Sequence, residues 1–276
     1  MTWKDLELLF NRALRFTFSR KKLLFMAPIL ISCGILVVLC KAMAINASDW
    51  VRTSLYFLPL FFCSVIIVTS GVVLVRIYHD EVKGLPVAYR KTIKGSIELM
   101  VQVAYLWMPL ILGYILLWTM LGLFYLLREL PFIGDFLGVV LSFGPFLLLL
   151  GSFALGVVAV KMLFYLAPVV ALRSTAHLQV LEDVFKRFIA NPFTNCALFL
   201  MASFPFALVS LLMTLAAAMT KNSYMGFDAQ TVGGLDLFFI MLPFSLLLSP
   251  AVIFFFNFAA ESYVWLQRKM KENPAE

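Results

Sequence analysis

The pattern of apolar and polar positions is clearest between Thr175 and Thr220, where a basic amphipathic segment runs into a long uncharged one. In the first half, apolar residues recur every three or four positions, which predicts a helix with one apolar face. Those residues are Leu178, Leu181, Val184, Phe185, Phe188 and Ile189. Asn191-Pro192 then interrupts the helix, because proline disfavours helical geometry in the residue before it. The uncharged residues that follow are numerous enough to cross a bilayer.

Six apolar runs occur along the chain, each bounded by charges because a charge at mid-bilayer costs roughly 2.5–3.5 kcal/mol on insertion scales. The runs are Leu23–Cys40, Thr53–Val75, Leu99–Leu127, Phe136–Val160, Phe193–Thr220 and Leu237–Ala260. The first is longer than the apolar part of a usual signal peptide and follows an amphipathic segment, so we interpret it as a transmembrane helix. The predicted fold class is therefore all-α: one polytopic membrane domain over residues 1–276, with six transmembrane helices.

Composition supports this interpretation. The mean hydropathy is +0.97, and only 13% of residues are charged, against about a quarter in soluble domains. The net charge of +7 lies mostly beside the apolar runs, so anionic lipid headgroups are the expected partner and nucleic acid is not. The four cysteines lie in or beside apolar runs without a CxxC pair, which predicts neither disulfides nor a metal site.

The distribution of lysine and arginine predicts the orientation. These residues number 18 in the segments 1–22, 76–98, 161–192 and 261–276, and 4 in the alternate segments. Because positive residues stay on the cytoplasmic side, both termini are expected there, in agreement with an even number of spans. We expect the protein in the cell (inner) membrane.

Three segments are predicted to form basic amphipathic helices on the cytoplasmic side: residues 2–22, the segment around Tyr89, and the one after Thr175. The apolar face of the first carries Trp3, Leu6, Leu9, Phe10, Ala13 and Leu14. A tryptophan with basic residues is typical of a helix lying in the membrane interface. Packing of the same face against the protein's own transmembrane bundle is the alternative.

Part of the pattern repeats after 96 residues. Tyr89 corresponds to Phe185, and Pro109 to Pro205. Residues 82–161 and 178–262 therefore resemble two copies of one unit, and residues 2–76 share the layout more loosely. Units that all begin on the same side are parallel repeats, related by an axis along the membrane normal. Chance similarity in a biased composition is the alternative.

Enzyme motifs are absent from the sequence, so we predict no catalytic residue, no cofactor and no metal site. His79 and His177 read as solvated loop residues. Charged residues inside a membrane often mark an ion pathway, and the nearest candidates are Lys161 and Glu261 at the ends of two runs. They are predicted to pair at the inner boundary, or else to extend separately to the interface.

Every run also contains a proline. Pro109 and Pro205 lie at matching depths, where each removes one helical hydrogen bond and bends its helix. One interpretation is a central cavity lined by kinked helices, as in transporters. The other is simple curvature of the bundle.

These features lead to two functional hypotheses. The first is a non-enzymatic membrane protein that acts through lipid or protein-partner contacts, or as a homo-oligomer, at its basic cytoplasmic face. The candidate contact residues are Arg12, Arg15, Arg90, Lys91, Lys94, Lys186 and Arg187. The second is a transporter or channel for a small or lipidic substrate. An intramembrane enzyme comes third, because no paired nucleophile and base can be named.

A family resemblance rests on the stretch Leu166-Ala-Pro-Val-Val-Ala-Leu172 and the amphipathic segment up to Asn191. This stretch resembles a broad group of uncharacterised bacterial six-span membrane proteins, which includes the membrane domain found beside glycerophosphodiester phosphodiesterases. The likeness lies mainly in residues 166–215. Arg173 stands where an acidic residue is usual, and Phe188 replaces a common serine. The resemblance implies a six-helix membrane protein and carries over no active site.

Overall fold

A computed structural model of the chain describes residues 3–45, 47–85, 89–128, 143–172, 192–224 and 235–272. Within these ranges the secondary structure is helical. The helices are α1 (Trp3–Arg15), α2 (Arg20–Ala44), α3 (Asp49–Val82), α4 (Tyr89–Arg128), α5 (Phe143–Leu172), α6 (Pro192–Tyr224) and α7 (Leu235–Glu272). By length and composition α2 to α7 are each able to cross a membrane, which confirms the all-α polytopic fold with six spans.

Helices α3 and α7 form the centre of the bundle. In each of them 56% of the most apolar stretch is buried, against 17% in α4 and 11% in α6. Helices α3, α5 and α7 contact one another, while α2 packs against α3 and α7, and α4 packs against α3 and α5. Helix α6 packs on α7. It also contacts α5 through a hydrogen bond in which Tyr165 Oη on α5 donates to the carbonyl of Asn195 on α6 at 3.1 Å. The internal repeat stays a prediction.

The middle of the described bundle is filled by large apolar side chains. Fully buried residues there include Phe61, Trp107, Phe164, Phe254, Phe256 and Phe258. Some of these rings meet neighbours edge to face, as Phe164 meets Phe255 with centroids 5.7 Å apart, and others stack, as Phe254 and Phe258 do. The described part of the bundle centre is therefore packed with aromatic side chains.

Helix α1 lies against the bundle. Leu6, Leu9 and Ala13 are buried, and the ring of Phe10 lies 4.9 Å from that of Phe254 on α7. Asn257 on α7 also donates to the carbonyl of Ala13 at 3.4 Å. Part of the predicted apolar face thus packs against the bundle, whereas Trp3 and Leu14 of the same face are exposed. The helix ends at Arg15, earlier than predicted.

The second amphipathic segment is not a helix of its own, which corrects the prediction. Helix α4 runs without a break from Tyr89 to Arg128, because no proline separates its basic first turns from the apolar run. Its 40 residues span about 60 Å, twice the thickness of the hydrocarbon core, so the basic turns extend beyond the membrane interior. The third amphipathic segment, with Lys186, Arg187 and His177, lies outside the described residues.

The prolines fall in two kinds of position. Pro109 and Pro205 lie inside α4 and α6 as predicted, and α5 also continues through Pro168. Pro145 is different, because it lies in the first turn of α5, where its missing N–H removes no helical hydrogen bond. The bends predicted at Pro109 and Pro205 stay predictions.

A glycine on one central helix faces a phenylalanine ring on the other. A Cβ added to Gly71 on α3 would lie 2.2 Å from Cε1 of Phe256 on α7, so only hydrogen fits there. A Cβ on Gly113 of α4 would meet nothing nearer than 3.7 Å, an ordinary contact with Leu155. Small residues let transmembrane helices approach in this way.

We predict that Gly71→Ala lowers the free energy of unfolding by about 1–3 kcal/mol, the usual cost of overpacking a core. Denaturation of the purified protein in mixed micelles measures this change. Gly113→Ala is the matched control and should unfold as the wild type does. An unchanged midpoint for Gly71→Ala would show that α3 and α7 do not meet at this residue.

Candidate functional site at the charged end of the bundle

Six helices meet at one end of the bundle, and five of them place charged side chains there. It is formed by α1, by the starts of α2 and α4, and by the ends of α3, α5 and α7. We call it the charged end, and its central residues are Arg12, Lys22, Arg76, Glu81 and Glu261. A charge beside the membrane interior is costly unless it is paired, so the partners of these residues determine what each one does.

A buried ion pair joins α2 to α3. Lys22 Nζ lies 2.5 Å from Glu81 Oε2, without the alignment of a hydrogen bond, and the lysine side chain is fully buried. The same ammonium donates to the carbonyl of Phe16 at 3.1 Å and lies 5.4 Å from the centre of the Tyr78 ring. Lys22 thus fastens the turn after α1 to the start of α2 and the end of α3.

Glu261 on α7 binds residues from two other helices. Tyr78 Oη on α3 donates to its Oε1 at 2.7 Å, and Arg12 Nε on α1 lies 3.3 Å from the same oxygen. Glu261 is buried, while 43% of the Arg12 side chain is exposed. The predicted pair of Glu261 with Lys161 stays a prediction, since the contacts described for Glu261 are those with Tyr78 and Arg12. Lys161 itself lies half-buried on α5.

Arg76 links three helices through neutral acceptors. Its Nη1 donates to the carbonyl of Gly95 at 2.8 Å and to Ser96 Oγ at 3.3 Å, both on α4. Its Nε donates to the carbonyl of Ala171 near the end of α5 at 3.5 Å. Sequence reasoning treated Arg76 only as a charge bounding a run. Its position directly after an apolar stretch was the one available signal that its head would lie among helices.

The basic residues predicted to form a contact surface divide into two groups. Arg12 is held by Glu261, and the Arg15 guanidinium lies over the Phe16 ring at 5.9 Å. In contrast, Arg90, Lys91 and Lys94 are exposed at the start of α4. The structure gives these three no ion pair within its described ranges. Within the described residues, the exposed basic residues of the predicted contact surface therefore lie mainly on α4.

Two neighbouring cavities open at the charged end. One, of about 440 Å³, lies between α3, α4 and α5. The other, of about 290 Å³, lies between α1, α3, α5 and α7 and is lined by Arg12, Tyr78, Lys83, Glu261 and Arg268, among others. His79 and Leu172 line both. His79, expected to be a solvated loop residue, lies instead within α3, half-buried between the two cavities.

No family model, curated protein or solved structure matches this chain. The resemblance of residues 166–215 to a bacterial six-span group stays a prediction. Among the described residues, no three His, Cys, Asp or Glu side chains are grouped so that they would hold a metal ion.

We predict that Tyr78→Phe destabilises the protein by about 1.5–3 kcal/mol, because the buried Glu261 loses a hydrogen bond made to a charged group. Arg12→Gln should cost under about 1 kcal/mol, because 43% of the arginine side chain is exposed and solvent screens the ion pair. Unfolding in mixed micelles measures both.

Tyr56→Phe, at an exposed tyrosine of the same helix, is the control. Combined with Glu261→Gln, the effect of Tyr78→Phe should fall well below its value in the wild type, because the two residues form one contact. Additive effects of the two substitutions would contradict the proposed contact.

Proposed function

We propose that this chain is a non-enzymatic, multi-pass protein of the inner membrane that acts through lipid or protein-partner contacts at a basic cytoplasmic face. In this proposal the charged end is the cytoplasmic end, and both termini lie on that side. Of the two kinds of contact, the arrangement of side chains on α4 favours lipid.

The observation that carries the proposal is one exposed face of α4. Arg90 and Lys94 begin it, and exposed apolar residues continue it at intervals of three or four positions. These are Ile97, Val101, Tyr105, Met108 and Leu112. Residues at this spacing share one side of a helix. The face therefore offers positive charge at headgroup depth and apolar surface at acyl-chain depth, which suits an anionic phospholipid.

The alternative function, a transporter or channel for a small or lipidic substrate, has the predicted repeat and the matched prolines in its favour. It requires a polar cavity that reaches the middle of the membrane. Phenylalanine fills the described centre, with Phe61, Phe254 and Phe256 fully buried, and this favours the contact function instead.

We predict that the wild-type protein retains phosphatidylglycerol in preference to phosphatidylcholine when it is transferred from detergent and analysed by native mass spectrometry. The double variant Arg90→Gln, Lys94→Gln should lose about 1 kcal/mol of this preference for each charge removed. Lys41→Gln, an exposed lysine at the opposite end of α2, is the control and should retain the preference.

Two results would contradict lipid recognition at this face: equal retention of both lipids by the wild type, or the same loss in the Lys41 variant. Lysine-directed crosslinking in native membranes then tests for a protein partner or a second copy. Crosslinks at Lys94 but not at Lys41 would support a protein contact at this face.

The orientation is tested separately. We predict that reporter domains active only in the cytoplasm are active when fused before Met1 or after Glu276, and inactive when inserted near Ile45, between α2 and α3. The physical reason is the retention of lysine and arginine on the cytoplasmic side. Activity at Ile45, or at only one terminus, would exclude the proposed topology.

A further inference from the structure

The larger cavity at the charged end combines groups of both charges. Its lining comes from the end of α3, the first turns of α4 and the last residues of α5: Arg76, His79, Asp80, Lys91, Thr92, Gly95, Ala171 and Leu172. Its volume of about 440 Å³ is ample for one polar headgroup. Because it lies beside the face of α4 described above, it is accessible from the same membrane surface.

One of the two cations in the lining is fixed in place. Arg76 already donates to the carbonyls of Gly95 and Ala171, so its guanidinium stays at the cavity wall. Carbonyl groups do not neutralise the positive charge of Arg76, so the guanidinium still attracts an anionic group in the cavity. Gly95 leaves this wall open, since a Cβ there would meet only Arg76, at 4.0 Å.

The other charged groups in the lining have no counter-charge of their own. Within the described ranges, neither the exposed Lys91 nor the half-buried Asp80 has an ion-pair partner. The cavity lining therefore carries two positive groups, Arg76 and Lys91, and one negative group, Asp80. His79 and Thr92 also line the cavity. The Asp80 carboxylate is therefore available to a cationic group of a ligand in the cavity.

The charges of both signs restrict the ligand. A simple anion would be attracted by Arg76 and Lys91 but repelled by Asp80. A simple cation would be attracted by Asp80 but repelled by Arg76 and Lys91. A group that holds a phosphate and an ammonium a few bonds apart satisfies all three residues. We propose that this cavity binds the headgroup of a phospholipid with a phosphate diester and a primary amine, of the ethanolamine type.

In this arrangement Arg76 and Lys91 face the phosphate, and Asp80 accepts hydrogen bonds from the ammonium. A lipid is favoured over a soluble phosphate ester because apolar surface adjoins the cavity. Ala171 and Leu172 form part of its wall, and exposed Ile97 and Val101 continue along α4 into the membrane. The inference rests on the proposed function, since it assumes that the charged end lies among lipid headgroups.

The test compares phosphatidylethanolamine with phosphatidylcholine, whose three N-methyl groups preserve both charges but remove the N–H donors. In native mass spectrometry of the full-length protein, the wild type should retain phosphatidylethanolamine about tenfold better, the worth of one charge-assisted hydrogen bond. Asp80→Asn should abolish the discrimination. Lys91→Gln should weaken retention of both lipids and leave their ratio unchanged.

The matched controls lie outside the cavity lining. Lys41→Gln, at the opposite end of α2, and Glu98→Gln on α4 make the same chemical changes at exposed positions and should keep the wild-type ratio. Soluble phosphoethanolamine added in excess should fail to displace the lipid, because it lacks acyl chains. Displacement by phosphoethanolamine would overturn the assignment to a lipid.

Equal retention of the two lipids by the wild type would overturn the inference without the use of any variant. So would an Asp80→Asn protein that keeps full discrimination, which is expected if Asp80 simply pairs with Lys91. The phosphatidylglycerol preference is read from the same spectra. If it persists while the ethanolamine discrimination is missing, the cavity inference fails and the proposed function stands; if both are missing, both fail.

Discussion

The structure depends on one constraint: a charge at the edge of the hydrocarbon must find a partner or reach the headgroup layer. Lys22 shows the constraint most directly, because its side chain is fully buried and its ammonium is held by Glu81 and by the carbonyl of Phe16. Glu261 satisfies it with Tyr78 and Arg12. Each of these contacts joins different helices. Pairing the charges therefore also fixes the position of each helix along the axis of its neighbours. An apolar interface alone tolerates sliding more readily, because it lacks such fixed partners.

Deeper in the bundle, shape replaces charge as the determinant of packing. Apolar side chains gain little by leaving lipid for protein, so helices that cross the membrane associate through close fit and interhelical hydrogen bonds. The approach of Phe256 to Gly71 supplies such a fit between the two central helices. Ser245 adds a hydrogen bond from α7 to the carbonyl of Leu30 on α2 at 3.3 Å. The charged end thus sets the register, and the aromatic centre sets the distances between helices.

The number and type of helices could be predicted from sequence because the cost of a charge in hydrocarbon is visible directly in the residue pattern. The ends of the helices were harder to predict from the sequence. Helices α3, α5 and α7 continue to Val82, Leu172 and Glu272, well past the predicted ends of their runs. Backbone hydrogen bonding does not require apolar side chains, so hydropathy does not mark where a helix ends.

Partners across the fold could not be predicted at all. Arg12 and Glu261 are 249 positions apart, and periodicity shows only which side of a helix a residue occupies. Residue spacing gives no distance between helices, so the pair of Glu261 with Lys161 stays a prediction. Tyr78 was missed because an aromatic residue at the end of an apolar run gives no sign that its hydroxyl is used. The segment with Lys186 and Arg187 lies outside the described residues, so its predicted role stays open to experiment.

The division between partnered and unpartnered charges separates stability from function. Arg12 and Lys22 are paired with carboxylates of this chain, so folding explains them. Arg90 and Lys94 have no such explanation within the described structure, and neither have Lys91 and Asp80. Solvation would account for any one of them singly. It does not account for their concentration on one helix pair, beside an open cavity and above an apolar surface that faces lipid. The proposed ethanolamine-type headgroup would supply phosphate for the cations and an amine for the carboxylate.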